Sequence, residues 1–283
     1  MQSDSGFKNF SLSIVLLWLF LFALIPIGLI IIVSFLSHTD QSLIALPFTL
    51  KNYQELGQTL YLHIFEKSFL VAGVTTLICL LMGYPFAYLI ARMKNRFKNL
   101  FLLLIIIPFW TSSLIRSYAL IAILKAKGIL NSALLALGVI DQPLSIMFTN
   151  TAVIAGLVYN LLPFMILPLI TNIERLDERL VDAAHDLGAS RITTFARVII
   201  PLTSPGIIAG CILVFLPAMT IFYIPDILGG AKSLLLGNLI QNQFLVAQNW
   251  PLGGAVSTVL TLLLATLILI YFLVTRGKQR DLL

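Results

Sequence analysis

Residues 174–201, ERLDERLVDAAHDLGASRITTFARVIIP, form the densest run of chemistry-bearing side chains in the sequence. Their spacing suits recognition by contact. Asp177 can accept a hydrogen bond at the head of a helix, Glu178 favours its first turn, and Leu180, Ala183, Ala184 and Leu187 fall at i, i+3, i+4 and i+7 on one face. Gly188 suits a left-handed stop, and Ser190 can cap a second helix that climbs through Phe195 to Pro201, where an apolar run begins. The pattern predicts helix, sharp turn, helix, with small side chains where another surface could come close. A solvated connector between two apolar segments would carry the same pattern, so helical physics alone leaves both open.

Catalytic chemistry is poorly supplied. The sequence contains no phosphate loop G-x-x-x-x-G-K-[ST], no G-x-G-x-x-G and no H-E-x-x-H. His38, His63 and His185 fall in three separate loops, which supports neither a metal cluster nor a triad. Cys79 and Cys211 sit in different apolar runs without CxxC spacing, so no disulfide framework is indicated. Asp226 is the clear acid at the edge of an apolar segment. Energy for any work this chain does is expected from another chain or from an ion gradient.

The elements that position these residues follow from composition. Only 11% of the 283 residues are charged, 59% are hydrophobic, and the mean hydropathy is +1.00. These values define an integral membrane protein, and apolar residues in long runs, not alternating ones, define helices. Six runs reach the roughly 20 residues needed to cross a bilayer: about Leu12–Leu36, Ser68–Ala91, Leu100–Ala122, Thr151–Asn172, Val198–Tyr223 and Gly254–Val274. The first is too long for the apolar region of a cleaved signal peptide and is expected to stay as an anchor.

Basic residues set the expected orientation. With the N-terminus inside, Lys8, Arg92, Lys94, Arg96, Lys98, Arg175, Arg179, Arg191, Arg197, Arg276, Lys278 and Arg280 face the cytoplasm. Only Lys51, Lys67, Arg116, Lys125, Lys127 and Lys232 fall on the outer side. Both termini and the polar stretch are therefore expected in the cytoplasm, and the net charge of +6 reflects topology, with no nucleic acid implied. Pro26, Gly83, Pro85, Pro108, Pro163, Pro168 and Pro217 interrupt the runs, as expected where helices bend around a path or merely pack against one another. Gly206 and Gly210 make a GxxxG step that allows close helix approach. In the outer connection, Asn131 is expected to cap a short apolar helix closed by Gly138, lying along the membrane face.

The stretch from 182 to 201 resembles the signature of the membrane subunits of binding-protein-dependent ABC importers: an acid, two alanines, a glycine four residues later, and an aliphatic-x-aliphatic-Pro ending. Here these are Asp182, Ala183, Ala184, Gly188, Val198, Ile200 and Pro201. Asp182 stands where the pattern usually carries Glu. The resemblance implies a type I importer permease fold with a coupling helix between spans four and five, in which Asp182, Ala183, Ala184, Asp186, Gly188, Ala189 and Pro201 serve coupling to a separate ATPase. It further implies a division into residues 1–65 (tail, first span and first outer loop), 66–274 (the transport domain) and 275–283 (a cytoplasmic tail).

Across most of the chain the sequence is similar to B-type permease subunits of spermidine/putrescine importers, through GYPFAYLIARM (83–93), PFWTSSLIRSYA (108–119), GLVYNLLPFMILPL (156–169) and LPAMTIFYIPDILGGAKSLLLGNLIQNQF (216–244). That resemblance implies a related second permease subunit, two ATPase copies, a periplasmic polyamine-binding protein and a bacterial inner membrane location. No cofactor is implied for this chain; ATP and Mg belong to the partner ATPase. A polyamine path needs aromatic faces for ammonium groups and sparse carboxylates. Trp110, flanked by Phe109 and Thr111, then Phe222, Tyr223 and Asp226, and the mid-span pair Tyr159 and Asn160 are the candidates. Aromatics at span ends also form interfacial belts. Importers of ferric iron, thiamine or an anion share the coupling signature, and Arg116 keeps an anion cargo open. A gradient-driven carrier would show inverted symmetry and buried ionisable pairs, and neither is evident. A membrane scaffold without transport is the remaining alternative.

Overall fold

Backbone amides in a lipid interior need internal partners, so long apolar runs must become helices. The computed structural model describes residues 3–39, 42–230 and 233–280; Lys232, counted above among the outer cations, lies outside the described residues. Among them, six helical stretches are long and apolar enough to cross a membrane: Lys8–Ser34, Thr59–Ala91, Ser113–Ala136, Asn150–Ile173, Arg191–Thr220 and Trp250–Phe272.

In chain order, α1 (Ser3–Leu19) and α2 (Ile25–Ser34) are joined by a π turn, Phe20–Leu24, just before Pro26. A hairpin, β1 (Ser37–Thr39) and β2 (Ser42–Ala45), and α3 (Lys51–Leu56) fill the first connection, ahead of α4 (Thr59–Ala91). Then come α5 (Asn95–Ile106), α6 (Ser113–Leu124), α7 (Ile129–Ala136), α8 (Asn150–Ile173) and α9 (Glu178–Asp186). Next, α10 (Arg191–Thr194) runs through a π turn, Phe195–Ile199, into α11 (Ile200–Thr220), and α12 (Leu236–Leu245) and α13 (Trp250–Arg280) complete the fold. The π turn before Pro201 has a local cause: a proline lacks the N–H for the regular ladder, and the preceding turn widens so that the Ile200 amide donates to the Phe195 carbonyl.

The third apolar run, Leu100–Ala122, is divided where Pro108 was expected to interrupt it: α5 and α6 are separated by a 3-10 turn at Ile107–Trp110 and an extended Thr111. Pro108 explains the interruption, because its ring excludes a continuous ladder at that point. The twelve residues of α5 rise about 18 Å, short of a core about 30 Å thick. Asn131 departs from expectation. It lies inside α7 and does not cap it; Gly128 is the cap residue. The buried Asn131 side chain instead clamps the following loop, accepting from the Leu144 amide at 2.9 Å and donating to the Leu144 carbonyl at 2.9 Å. Gly138 closes α7 as expected, at φ +67°, with the Val139 amide donating to the Leu134 carbonyl.

The chain packs as two units, Met1–His63 with Leu239–Thr266, and Ile64–Asn238 with Leu267–Leu283. In the first, the Asn52 amide donates to the Ser34 and Leu36 carbonyls at 2.9 and 2.8 Å, and the Tyr53 hydroxyl meets Ser34 Oγ at 2.6 Å. These bonds satisfy the open end of α2 and fasten α3 to it. In the second, α8 supplies the core through a stripe at every fourth residue: Val153, Leu157, Leu161, Met165, Leu169 and Ile173 are all buried. Helix α11 lies close along it. A Cβ on Gly206 would stand 2.5 Å from Asn172 Cβ and 3.0 Å from the Pro168 carbonyl, and one on Gly210 would stand 2.6 Å from Met165 Sδ. The GxxxG step thus sets the α8–α11 separation. Tyr84 of α4 ties in through a 2.9 Å hydrogen bond with Thr203.

Gly206→Ala is expected to cost about 1–3 kcal/mol by overpacking. Gly73→Ala, whose added Cβ would meet nothing within 4 Å, should be neutral or slightly stabilising. Thermal unfolding of the detergent-solubilised protein checks this, and equal behaviour of the two variants would refute the close-approach assignment.

Candidate functional site

Two polar constructions stand out, one at the end of the second unit formed by residues 92–98 and 174–191, the other a half-open cavity among its apolar helices. At the end, α9 is held in shape by its own sequence. Asp177 caps it by accepting from the Arg179 amide at 3.0 Å. Gly188, at φ +81°, turns the chain, with its amide donating to the His185 carbonyl at 2.9 Å and the Ala189 amide to the Ala184 carbonyl at 3.0 Å. This is the left-handed Schellman ending. Ser190 then caps α10 through the Thr193 amide at 3.2 Å. All three local expectations hold.

The face of α9 is open. Asp182, Ala183, Asp186 and Gly188 are exposed, Ala184 and Ala189 half-buried, and Leu187 and Ile192 are 89% and 82% exposed. Pro201 is exposed at the foot of α11. Leu187 and Ile192 thus leave apolar surface bare on an otherwise charged segment. The base of α9 is anchored laterally: Arg92 at the end of α4 pairs with Glu178, and Lys98 of α5 pairs with Glu174 at 3.3 Å. The Arg92 guanidinium also lies over the Tyr88 ring, 5.6 Å from its centre.

The interior construction is a cavity of about 300 Å³ lined by Phe109, Thr111, Ser113, Arg116, Asn160, Leu161, Phe164, Pro217, Ile221 and Tyr223. The break between α5 and α6 makes one wall, the middle of α8 a second and the end of α11 the third. The Tyr223 hydroxyl donates to Ser113 Oγ at 2.8 Å, and Thr111 Oγ1 donates at 2.8 Å to the Pro108 carbonyl, which also accepts from the Thr111 amide at 3.2 Å. Phe109 and Phe164 stack edge to face at 4.9 Å. Asn160, only 3% exposed, donates from Nδ2 to the Gly156 carbonyl at 2.9 Å, while its Oδ1 has no partner. Arg116 Nε is likewise buried without a hydrogen-bond partner, and its guanidinium lies 5.9 Å from the centre of the Tyr159 ring.

Of the expected path residues, Phe109, Thr111, Asn160 and Tyr223 meet at this cavity. Trp110, 77% exposed, Tyr159 and Phe222 do not line it. Asp226 is exposed and held by the Asn238 side-chain amide, which also donates to the Phe222 carbonyl at 2.7 Å. Ser113, Phe164 and Ile221 were not singled out from sequence, and Arg116 entered only as a reason to consider anions. An arginine eight residues beyond a mid-span proline was the signal that could have found the site. Two other crevices, of 360 and 420 Å³, are lined almost wholly by apolar side chains and offer no polar chemistry.

Six helices long and apolar enough to cross a membrane, a polar-edged cavity beside the α5–α6 break, and a capped polar helix define a membrane permease domain. Residues 83–280 match the binding-protein-dependent transport system inner membrane component family, and the chain belongs to it. It is 50% identical over 269 residues to the spermidine/putrescine transport system permease protein PotB of Haemophilus influenzae, covering 95% of this chain and 94% of that one. It is 52% identical over 259 residues to the PotB protein of Escherichia coli, with 92% and 94% covered. It is 30% identical over 247 residues to the inner membrane ABC transporter permease protein YdcU of Escherichia coli, with 82% and 78% covered. Its fold matches that of a chain in the crystal structure of a bacterial ABC transporter that imports the acidic polysaccharide alginate, with a TM-score of 0.77, 14% identity, and 97% and 96% of the two chains covered.

The ion pair at the base of α9 generates a prediction of its own. Arg92→Gln or Glu178→Gln should raise the rate of tryptic cleavage at Arg179 roughly two- to fivefold, the scale of an exposed pair. Unaltered cleavage in both variants would show that the pair does not hold α9.

Proposed function

We propose that this chain is the permease subunit of an ATP-driven importer of polyamines, lying in a bacterial inner membrane with both termini cytoplasmic. It pairs with a related permease, two ATPase copies that bind ATP and Mg, and a periplasmic polyamine-binding protein. Residues 66–274 carry the transport domain, behind an N-terminal segment of residues 1–65 and ahead of a short tail, 275–283. The observation that carries this function is the 50% identity to a spermidine/putrescine permease over nearly the full length of both chains.

Helix α9 serves as the coupling helix. Its bare Ala183 and Leu187, with the half-buried Ala184, seat in a groove on the ATPase, and Asp182 and Asp186 meet its charges. Gly188 and Ser190 pass the motion to α10, which begins three residues after Gly188 and runs through the π turn into α11, with Ala189 inside the turn and Pro201 just past the hinge-like π turn. The cargo path runs past the cavity through Phe109, Thr111, Asn160 and Tyr223. Trp110, Tyr159, Phe222 and Asp226 provide aromatic and acidic contacts on exposed surface that a sister permease would enclose. Weak contacts suffice here, because the soluble binding protein does the choosing.

Reconstitution with the three partners should give ATP-dependent uptake of spermidine and putrescine that sulfate does not inhibit. An anion cargo is the second reading, favoured by Arg116 at the cavity; uptake competed by anions would establish it. Gly188→Asp places a side chain at a left-handed backbone that costs roughly 1–2 kcal/mol to keep. It should lower uptake about tenfold or more by misaligning α9, with loss of ATPase co-purification, and normal uptake would remove the coupling role. Trp110→Ala and Asp226→Asn should each lower uptake while the complex assembles, and unchanged uptake in both would remove those contacts from the path.

A further inference from the structure

The cavity holds an electrostatic contradiction. A path for polycations contains a fixed cation, Arg116, and no carboxylate lines the cavity among the described residues. The hydrogen-bond inventory resolves it. Thr111 Oγ1 and Tyr223 Oη have each spent their proton, on Pro108 O and Ser113 Oγ, so what remains to each is a lone pair. Asn160 is oriented by the Gly156 carbonyl, which can only accept, so the end without a partner is the oxygen. The free valences of these three side chains are therefore acceptors, the Ser113 hydroxyl that accepts from Tyr223 keeps its own proton, and the Phe109 and Phe164 rings add π faces. A buried amide oxygen without a partner is costly, and a donor entering the cavity would recover that cost.

We infer that this cavity is a transient site for one ammonium group, built from neutral acceptors around Asn160, in which Arg116 acts as a resident cation that shortens the stay of its occupant. This rests on the polyamine function proposed above. Neutral acceptors solvate the ammonium without trapping it, as a buried carboxylate would. Arg116 supplies the opposing push. A cavity of 300 Å³ is about 8 Å across, and a like charge at that distance, with an effective dielectric constant near 20, weakens binding roughly thirtyfold. Arg116 is itself held on the Tyr159 ring, 5.9 Å from its centre. The Asn160 oxygen is covered in this structure, so an arriving ammonium reaches it by parting the side chains of the wall.

The test uses the assembled complex in lipid nanodiscs, without binding protein or nucleotide, and equilibrium binding of radiolabelled putrescine. Arg116→Gln is expected to tighten binding about tenfold or more and to slow ATP-driven uptake at saturation; Arg116→Lys should leave both near wild type. Asn160→Leu should weaken binding about tenfold. Asn160→Asp should tighten it and slow uptake, and it serves where the leucine variant fails to assemble. A purely structural role predicts loss in every variant. Binding unchanged or weakened by Arg116→Gln, or tightened by Asn160→Leu, would overturn the inference while wild-type polyamine uptake stands. A wild-type complex that takes up anions and no amine would overturn both this site and the function beneath it.

Discussion

Helices α8 and α11 lie close because Gly206 and Gly210 present only backbone to Met165, Pro168 and Asn172. In lipid no hydrophobic force gathers helices, so such contacts are won by dispersion and by how nearly backbones can approach. The rest of the second unit depends on that separation. It sets the register that brings Asn160, in the middle of α8, opposite Pro217 and Ile221 at the end of α11. It also fixes the two ends between which α9 and its turn must be strung. Widening it by one methyl would move the cavity wall and the polar helix together.

The breaks in the apolar runs can be understood as placements of polar backbone. Two carbonyls at the breaks are met within the protein: Pro108 O by the amide and hydroxyl of Thr111, and Phe195 O by the Ile200 amide of a widened turn. A proline within an apolar run becomes tolerable where nearby groups take the carbonyls left open. The cost of that arrangement is local. Its product is a short extended segment, Thr111–Ser112, that places a polar edge beside apolar helices.

Features written in neighbouring residues were legible in the sequence. The Asp177 and Ser190 caps, the Gly188 and Gly138 turns and the fourth span depend on interactions within a few positions, and they stand where spacing put them. The interruption of the third run at Pro108 was legible too, because the missing N–H acts on its own neighbours, while the 3-10 turn and the extended Thr111 that follow it were not. Asn131 was misread because its partner, Leu144, lies thirteen residues on. Membership of the cavity was half legible. Phe109, Thr111, Asn160 and Tyr223 have the right chemistry and converge, yet Trp110 and Asp226 share that chemistry and point elsewhere. Which of them converge depends on helix rotation and on the α8–α11 register, and neither is encoded in any one segment.

The two capped ends of α9 carry a further implication. Asp177 before it and Gly188 after it close both ends from within the chain. Any surface that met this helix would meet a shape already fixed, so little disorder would be lost on contact. The helix is a stamp already cut, which no partner would have to fold.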